Sequence, residues 1–264
     1  MNTEELINLL KTPLALSNDT IVSSLSGGTI NHSYYINDDP NEFLLKHFQG
    51  EDSLAIDRQE RFDLQLQLSK IWLAPKPMYL SSDRAIYAEQ WVKQCQELEL
   101  LSFENSHINE LAIALTRIHH VEIKTKTVNL AKDWQSYLLS IPNPSSILVE
   151  QVAKLSMQWI LSDEDSASCH VFCHNDLAWA HLCLPTEIIL DWEYAAIGNR
   201  YFDILSCARV NGLDSKQQDH LLVKYAELNK ISIDDVYKGC GKQASFLELT
   251  YQLWHEAVGL EPEI

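Results

Sequence analysis

The sequence predicts an α+β fold with two lobes, a small antiparallel-sheet lobe followed by a larger, mostly helical one. Two observations lead to this prediction. Short apolar stretches separated by turn compositions fill the first third of the chain. After Val92, helical periodicity dominates, interrupted by one pair of short apolar strands. We therefore expect a boundary near residues 92–97, with lobes at 1–92 and 93–264.

The first lobe is predicted to contain strands and two helices. A short amphipathic helix is expected over residues 3–11, before Pro13, and a longer one over 53–71, before Pro75 and Pro77. Strands are expected at 20–25, 34–37, 42–48, 78–80 and 84–92.

The second lobe is predicted to be helical around one small hairpin. Helices are expected at 105–119, 134–139 and 147–161, and over most of the chain from Phe202 to Gly259. The hairpin is expected from the apolar strands 171–173 and 188–190.

Composition limits the function classes. The net charge of −17 argues against nucleic acid and anionic membrane surfaces as partners, because both attract basic patches. The same charge suits a small cationic substrate, and it is equally compatible with solubility alone. No apolar run approaches the roughly 18 residues that span a bilayer, and residues 1–13 lack the basic region of a secretory signal. We therefore expect a cytoplasmic protein without membrane insertion.

Two carboxylates are the strongest candidates for chemistry. Asp176 and Asp191 follow apolar strands, and His174 stands just before the first of them. Alone, either aspartate could simply cap a turn. As a pair, they suit phosphoryl transfer, in which one carboxylate accepts a proton from a hydroxyl nucleophile and the other holds magnesium on the nucleotide.

The first lobe offers weaker signals. Lys46 lies in an apolar strand and Glu60 in the following helix, a pairing that could hold phosphates; alternatively, Lys46 is an edge-strand lysine facing water. Gly27 and Gly28 form a turn that could approach a phosphate or merely close a hairpin. No GxGxxG fingerprint or P-loop is present in the sequence.

Cysteine and histidine cluster near the carboxylates, at Cys169, His170, Cys173, His174, His181 and Cys183. A zinc site is one interpretation, but the spacing does not match paired CxxC ligands. Reduced, buried thiols are the favoured alternative for the six cysteines of the chain.

Taken together, these residues resemble the aminoglycoside phosphotransferase and choline kinase superfamily, the small-molecule branch of the protein-kinase-like fold. The matching segments follow the order of the family: Ser26-Gly27-Gly28-Thr29 with Asn31, Lys46, Arg58-x-Glu60, Ile118-His119, His174-Asn175-Asp176-Leu177, Asp191-Trp192-Glu193-Tyr194-Ala195 and Phe202-Asp203. The Asp191–Ala195 segment is more similar to bacterial choline, ethanolamine and thiamine kinases than to antibiotic phosphotransferases.

The resemblance implies a bilobal kinase that uses ATP and Mg²⁺. Gly27 and Gly28 would cover the phosphates, and Lys46, held by Glu60, would contact them. Residues 89–92, with Glu89 and Trp91, would form the hinge that binds adenine.

In the second lobe, the resemblance implies that Asp176 is the catalytic base and Asp191 the metal ligand, while Asp203 would brace the catalytic loop. The acceptor would be the hydroxyl of a small, cationic molecule of the choline, ethanolamine or thiamine class.

One position departs from the family pattern. Where the catalytic loop of the family ends in a metal-binding Asn, this chain has His181. Imidazole is a poor ligand for Mg²⁺, so a second metal site is expected to be weak, to favour a softer ion such as Mn²⁺, or to be lost. The alternative function is therefore a nucleotide-binding pseudokinase with little or no transfer activity. The sequence does not predict an oligomeric state.

Overall fold

The computed structural model describes residues 3–25, 32–48, 56–98, 100, 102–163 and 167–259. Its elements follow the predicted α+β order. The helices are α1 (Thr3–Leu10), α2 (Arg58–Lys70), α3 (Asn105–His119), α4 (Leu130–Ser140), α5 (Ser146–Asp163), α6 (Arg200–Val210), α7 (Ser215–Asn229) and α8 (Ile233–Ala257). The strands are β1 (Ile21–Leu25), β2 (His32–Asp38), β3 (Asn41–His47), β4 (Pro77–Leu80), β5 (Ile86–Gln90), β6 (His170–Cys173), β7 (Leu182–Cys183), β8 (Ile188–Ile189) and β9 (Ala196–Asn199).

The chain divides into two compact units. Unit one comprises residues 1–52, 56–96 and 182–191, and unit two comprises 53–55, 97–181 and 192–264. The sequence boundary after residue 92 does not describe the segment 182–191. This segment belongs to unit one because Leu182 O accepts a hydrogen bond from Gln94 Nε2 (2.9 Å) and Ile189 N donates to Leu73 O (2.9 Å).

Unit one is built on an antiparallel sheet with strand order β1-β2-β3-β5-β4. Alternation along these strands turns Ile36, Phe43 and Leu45 inward, where they pack with Leu6 and Leu10 of α1. The predicted five strands of this lobe are confirmed, and β3 carries Lys46 beside the buried Leu45.

Helix caps explain where the predicted helix limits shift. Asp57 accepts hydrogen bonds from the backbone N–H groups of Gln59 and Glu60, so α2 begins at Arg58 rather than at residue 53. Asn129 accepts from Lys132 N, so α4 begins at Leu130, a full turn before the predicted start.

Unit two is mostly helical, with α3 packing on α7 and α6 on α8. The predicted hairpin is wrong in its pairing. Strand β6 pairs antiparallel with β9, which the sequence analysis missed, and β7 pairs with β8 in unit one. Strand β9 is missed because its four residues include Gly198 and Asn199, which carry little strand preference.

Within the part of the chain that the structure describes, no helix has the length and apolar character needed to cross a membrane.

Candidate active site

The loop that follows β6, residues 174–181, is held in place by hydrogen bonds to Asp203 of α6. The carboxylate of Asp203 accepts hydrogen bonds from His174 N (2.9 Å) and Asn175 N (2.7 Å), and it is fully buried. Asn175 adopts a left-handed backbone conformation with φ of 66°, which a surrounding structure must impose on a non-glycine residue. The predicted brace is therefore confirmed.

A buried histidine completes this brace. His119 Nε2 lies 3.0 Å from Asp203 Oδ2, and His119 Nδ1 lies 2.7 Å from the hydroxyl of Tyr225. Burial lowers the pKa of His119, so the ring is neutral, its Nε2–H donates to Asp203 and its Nδ1 accepts from Tyr225. Burial by itself raises the pKa of Asp203, but the hydrogen bonds from His119 and His174 outweigh it and lower that pKa. The brace thus holds an ionised carboxylate.

Two further residues hold the loop, and the sequence analysis missed both. Ser206 Oγ donates to Asn175 O (2.7 Å). Asn211, the C-terminal cap of α6, accepts from Trp179 N (2.7 Å) and donates to Leu177 O (2.9 Å). Their positions three and eight residues after Asp203 are the one sequence feature that could have suggested them.

Asp176 stands within this loop and is partly exposed, and its charge acts on aromatic side chains of unit two. Burial raises the pKa values of Tyr194 and Tyr251, and the negative charge of Asp176 raises both further. Trp254 Nε1 donates to the hydroxyl of Tyr194 (3.2 Å), and Glu193 adds a second carboxylate that also raises the pKa of Tyr194. The surroundings of Asp176 in unit two are therefore aromatic and acidic.

His181 contacts the backbone of the same loop. Its Nδ1 lies 2.9 Å from Asp176 O and 3.3 Å from Ala178 N, and its ring stacks on His174 with centroids 5.6 Å apart. The shorter distance favours the tautomer in which Nδ1–H donates to Asp176 O. A metal would then be bound through Nε2, and metal binding by His181 stays a prediction.

In unit one, Lys46 contacts Asp191. Lys46 Nζ lies 2.7 Å from Asp191 Oδ1, and the side chains are 24% and 31% exposed. Asp191 has φ of 64°, another left-handed conformation at a predicted site residue. Glu60, the predicted partner of Lys46, places Oε1 2.9 Å from Arg61 on the first turn of α2. The predicted Lys46–Glu60 pair stays a prediction, and Lys46–Asp191 is the contact that the sequence did not anticipate.

The predicted hinge begins in the interior of the sheet. The carboxylate of Glu89 is buried, accepts from the hydroxyl of Tyr87 (2.7 Å) and also from Gln65, and has its pKa raised by burial. Trp91 N donates to Glu42 O (3.0 Å), and its ring lies edge-on to Tyr35 at 4.9 Å. Because Trp91 N–H is already engaged, adenine would need another main-chain donor; the roles of Glu89 and Trp91 stay predictions.

Gly27 and Gly28 lie outside the described residues. The Cys/His cluster predicted as an alternative zinc site falls within them, and no three of its members bring their ligand atoms together. In the described part of the chain, the group that could hold a metal is His119, Cys173 and Asp203, all buried. Burial raises the pKa of the Cys173 thiol well above its ordinary value, which disfavours the thiolate that a metal needs. None of the six cysteines, all of which are described, forms a disulfide.

Comparison with known proteins identifies the family. The model of the family described as "Phosphotransferase enzyme family" matches residues 21–238, which include the candidate residues in both units. The chain belongs to the phosphotransferase enzyme family.

Two curated proteins are similar to this phosphotransferase. Protein LicA of Haemophilus influenzae is 22% identical over 217 residues, covering 80% of this chain and 64% of LicA. An uncharacterised protein of Metamycoplasma hominis is 27% identical over 174 residues, covering 60% of this chain and 33% of its own length. The matched regions thus span just under two thirds of LicA and about one third of the Metamycoplasma hominis protein.

Solved structures share the fold. Choline kinase LicA from Streptococcus pneumoniae superposes with a TM-score of 0.74 at 17% identity, covering 98% of this chain and 92% of the kinase. Plasmodium vivax ethanolamine kinase gives 0.74 at 13% identity, with coverage of 99% and 85%. A spectinomycin phosphotransferase in complex with ADP and spectinomycin gives 0.58 at 13% identity, with coverage of 100% and 90%. The predicted α+β, protein-kinase-like fold is confirmed.

Proposed function

We propose that this phosphotransferase moves the terminal phosphoryl group of ATP to the hydroxyl of a small cationic alcohol of the choline, ethanolamine or thiamine class. The observation that carries the proposal is the aromatic and acidic environment of Asp176. The charge of Asp176 acts on Tyr194 and Tyr251. Trp254 donates a hydrogen bond to the hydroxyl of Tyr194, and the charge of Glu193 also acts on Tyr194.

A cationic acceptor fits this environment for two physical reasons. An alkylated ammonium is attracted to the negative faces of tryptophan and tyrosine rings, an interaction worth about 0.5–2 kcal/mol according to how far it is desolvated. Glu193 lies in unit two, as these aromatic residues do, and it adds a negative charge opposite to that of the ammonium. A neutral alcohol of the same shape would gain neither interaction.

Asp176 is the proposed base. A carboxylate that accepts the proton of the acceptor hydroxyl as the oxygen attacks phosphorus must keep a fixed position. The brace from Asp203 and Ser206 supplies that position, because it fixes the backbone at Asn175, directly before Asp176.

The nucleotide is the proposed ligand of unit one. The ammonium of Lys46 would contact phosphate oxygens, and Asp191 offers a partly exposed carboxylate, the donor type that Mg²⁺ prefers. A bound Mg²⁺ would neutralise charge on the phosphates. His181, with Nδ1 directed at the loop backbone, offers only an imidazole nitrogen and suits Mn²⁺ better than Mg²⁺.

Two alternatives have less support. The pseudokinase hypothesis depends on His181 alone, and nothing in the comparisons supports it. An aminoglycoside-type acceptor is also cationic. Because the chain is similar in fold to a spectinomycin phosphotransferase, the experiment below includes acceptors of this class. The aromatic rings of Tyr194, Tyr251 and Trp254 near the acid favour a compact alkylated ammonium instead.

The test compares choline with 3,3-dimethylbutan-1-ol, its uncharged isostere, in an assay of substrate-dependent ADP release with Mg²⁺ or Mn²⁺. Ethanolamine, thiamine, spectinomycin and kanamycin complete the panel. We expect choline or a related amine to have a kcat/KM at least tenfold above that of the isostere. We also expect Glu193→Gln to narrow that ratio.

Glu227→Gln, on the exposed face of α7, is the matched control and should leave the ratio unchanged. Equal rates with choline and its isostere would contradict a cationic acceptor. Transfer to spectinomycin or kanamycin alone would assign the antibiotic class, and absence of transfer to every acceptor would favour the pseudokinase.

A further inference from the structure

A cavity of about 710 Å³ lies in unit two. It is bordered by the first turn of α6, by Ser168 and Cys169 before β6, and by one face of α8. Its volume falls within the range of small-molecule sites, about 300–1,000 Å³. No residue predicted for phosphoryl transfer lines it.

The lining is cationic in a strongly acidic chain. Arg200, Lys238 and Lys242 line the cavity with Asp235 as the one carboxylate, which leaves two net positive charges. The whole chain carries −17. Lys238 and Lys242 lie one turn apart on α8 and form no ion pair within the described residues. Three cations that line one concavity with a single carboxylate indicate an anionic ligand.

Arg200 supplies the innermost charge. It is the first residue of α6, whose N-terminus carries the positive end of the helix dipole. Its Nε is buried and has no hydrogen-bond acceptor among the described residues. A buried guanidinium N–H without an acceptor is costly, and an oxygen-rich anion would satisfy it.

An aromatic wall stands beside the charges. The ring of Tyr201 lies directly on α8 at Gly239, where an added Cβ would come within 2.3 Å of the ring. Phe246 lines the cavity two turns further along α8. The wall gives the cavity an apolar side on which the body of an organic molecule could pack.

We propose that this cavity binds a small organic phosphomonoester. Its phosphate group would lie between Arg200, Lys238 and Lys242, and its organic body against Tyr201 and Phe246. A phosphomonoester carries about 1.5 to 2 negative charges at neutral pH, which matches the two net positive charges of the lining, whereas a carboxylate carries one.

The cavity and Asp176 lie at opposite ends of β6 in unit two. Cys169, which lines the cavity, precedes the strand, and the loop with Asp176 follows it. Four strand residues at about 3.3 Å each separate the two ends by roughly 13 Å. Lys238 and Lys242 have no part in the proposed transfer, so charge reversal at these residues should leave the KM for ATP unchanged, and the proposal does not depend on the proposed acceptor.

Cys169 provides a local reporter for the test. Of the six cysteines, Cys95 is exposed and Cys169 partly exposed, whereas the other four are buried. In a Cys95→Ser background, the rate at which a neutral disulfide reagent labels Cys169 is measured against increasing glycerol 3-phosphate, inorganic phosphate or glycerate at constant ionic strength. We expect saturable protection by glycerol 3-phosphate, weaker protection by inorganic phosphate, and an affinity for glycerate at least tenfold lower.

The variants are chosen to change charge equally. Lys238→Glu with Lys242→Glu should weaken protection by glycerol 3-phosphate at least tenfold. Lys132→Glu with Lys154→Glu, exposed lysines of unit two outside the cavity, should leave it unchanged. Three results would each overturn the proposal. They are equal protection in both double variants, equal affinity for glycerate and glycerol 3-phosphate, and no protection by glycerol 3-phosphate up to about 10 mM, which would mean binding weaker than millimolar.

Discussion

The Asp203 brace makes the sharpest prediction about how unit two holds its loop. Asp203→Asn keeps the size of the side chain and removes its charge. The carboxylate accepts three hydrogen bonds, from His119 Nε2 (3.0 Å), His174 N (2.9 Å) and Asn175 N (2.7 Å). An amide has one acceptor oxygen, so its NH₂ group must face at least one of these donors.

The magnitude follows from those three bonds. If the amide oxygen takes the Oδ2 position, the bond to Asn175 N is lost, and the bonds to His119 and His174 lose their charge assistance. Hydrogen bonds to a charged group contribute about 1.5–3 kcal/mol and neutral ones about 0.5–1.5 kcal/mol. The free energy of unfolding should therefore fall by about 3–5 kcal/mol, and the desolvation cost that the lost charge no longer pays favours the lower end of this range.

The assay is urea unfolding followed by tryptophan fluorescence. Five of the seven tryptophans lie in unit two, so the emission reports mainly on that unit. Glu227→Gln, which breaks an exposed pair with Lys224, is the control and should change stability by less than about 0.5 kcal/mol. A loss below about 1 kcal/mol for Asp203→Asn, with transfer activity retained, would refute the brace.

Four further predictions concern single residues. Asp176→Asn should reduce transfer by about 10²–10⁴-fold with nucleotide affinity nearly unchanged, and turnover within about tenfold of wild type would contradict the base assignment. Lys46→Met should raise the KM for ATP yet leave the unfolding midpoint almost unchanged, because its partly exposed pair with Asp191 is worth only about 0–1 kcal/mol. His181→Asn should raise activity with Mg²⁺ and lower the Mn²⁺/Mg²⁺ activity ratio; no change in either would assign His181 to packing in the loop. Burial depresses the pKa of His119 in the folded state, so its stabilising effect is present above the unfolded-state value of about 6.5 and is lost as pH falls below it. The unfolding free energy should therefore fall more steeply between pH 7 and 5 in wild type than in His119→Gln, and parallel curves would count against a neutral His119.

Local sequence features predicted most elements and the motifs. The stripe on α3, the turn between β2 and β3, and the segment around Asp176 depend on residues close in sequence, so periodicity and turn chemistry were enough to find them. The errors in the predicted starts of α2 and α4 also depend on residues close in sequence. The caps Asp57 and Asn129 fix the starts of α2 and α4 and are visible in the sequence once their hydrogen bonds are known.

Contacts distant in sequence could not be predicted in this way. Strand β6 pairs with β9 because packing in unit two brings two short segments together, although β8 is nearer in the chain and more apolar. Ser206 and Asn211 hold the loop of residues 174–181 because α6 presents one face to it, and only their spacing from Asp203 marks those residues in the sequence.

By itself, the sequence determined the α+β order of the chain, the segment with Asp176 and the membership in a kinase-like family, since each is written in short-range patterns. Only the tertiary structure decided that Lys46 contacts Asp191, that a neutral His119 supports the Asp203 brace, and that Arg200 shares a cavity with Lys238 and Lys242. Charged and polar side chains take their roles from the partners and burial that folding gives them. Those partners lie tens of residues or more away along the chain, where periodicity carries no information.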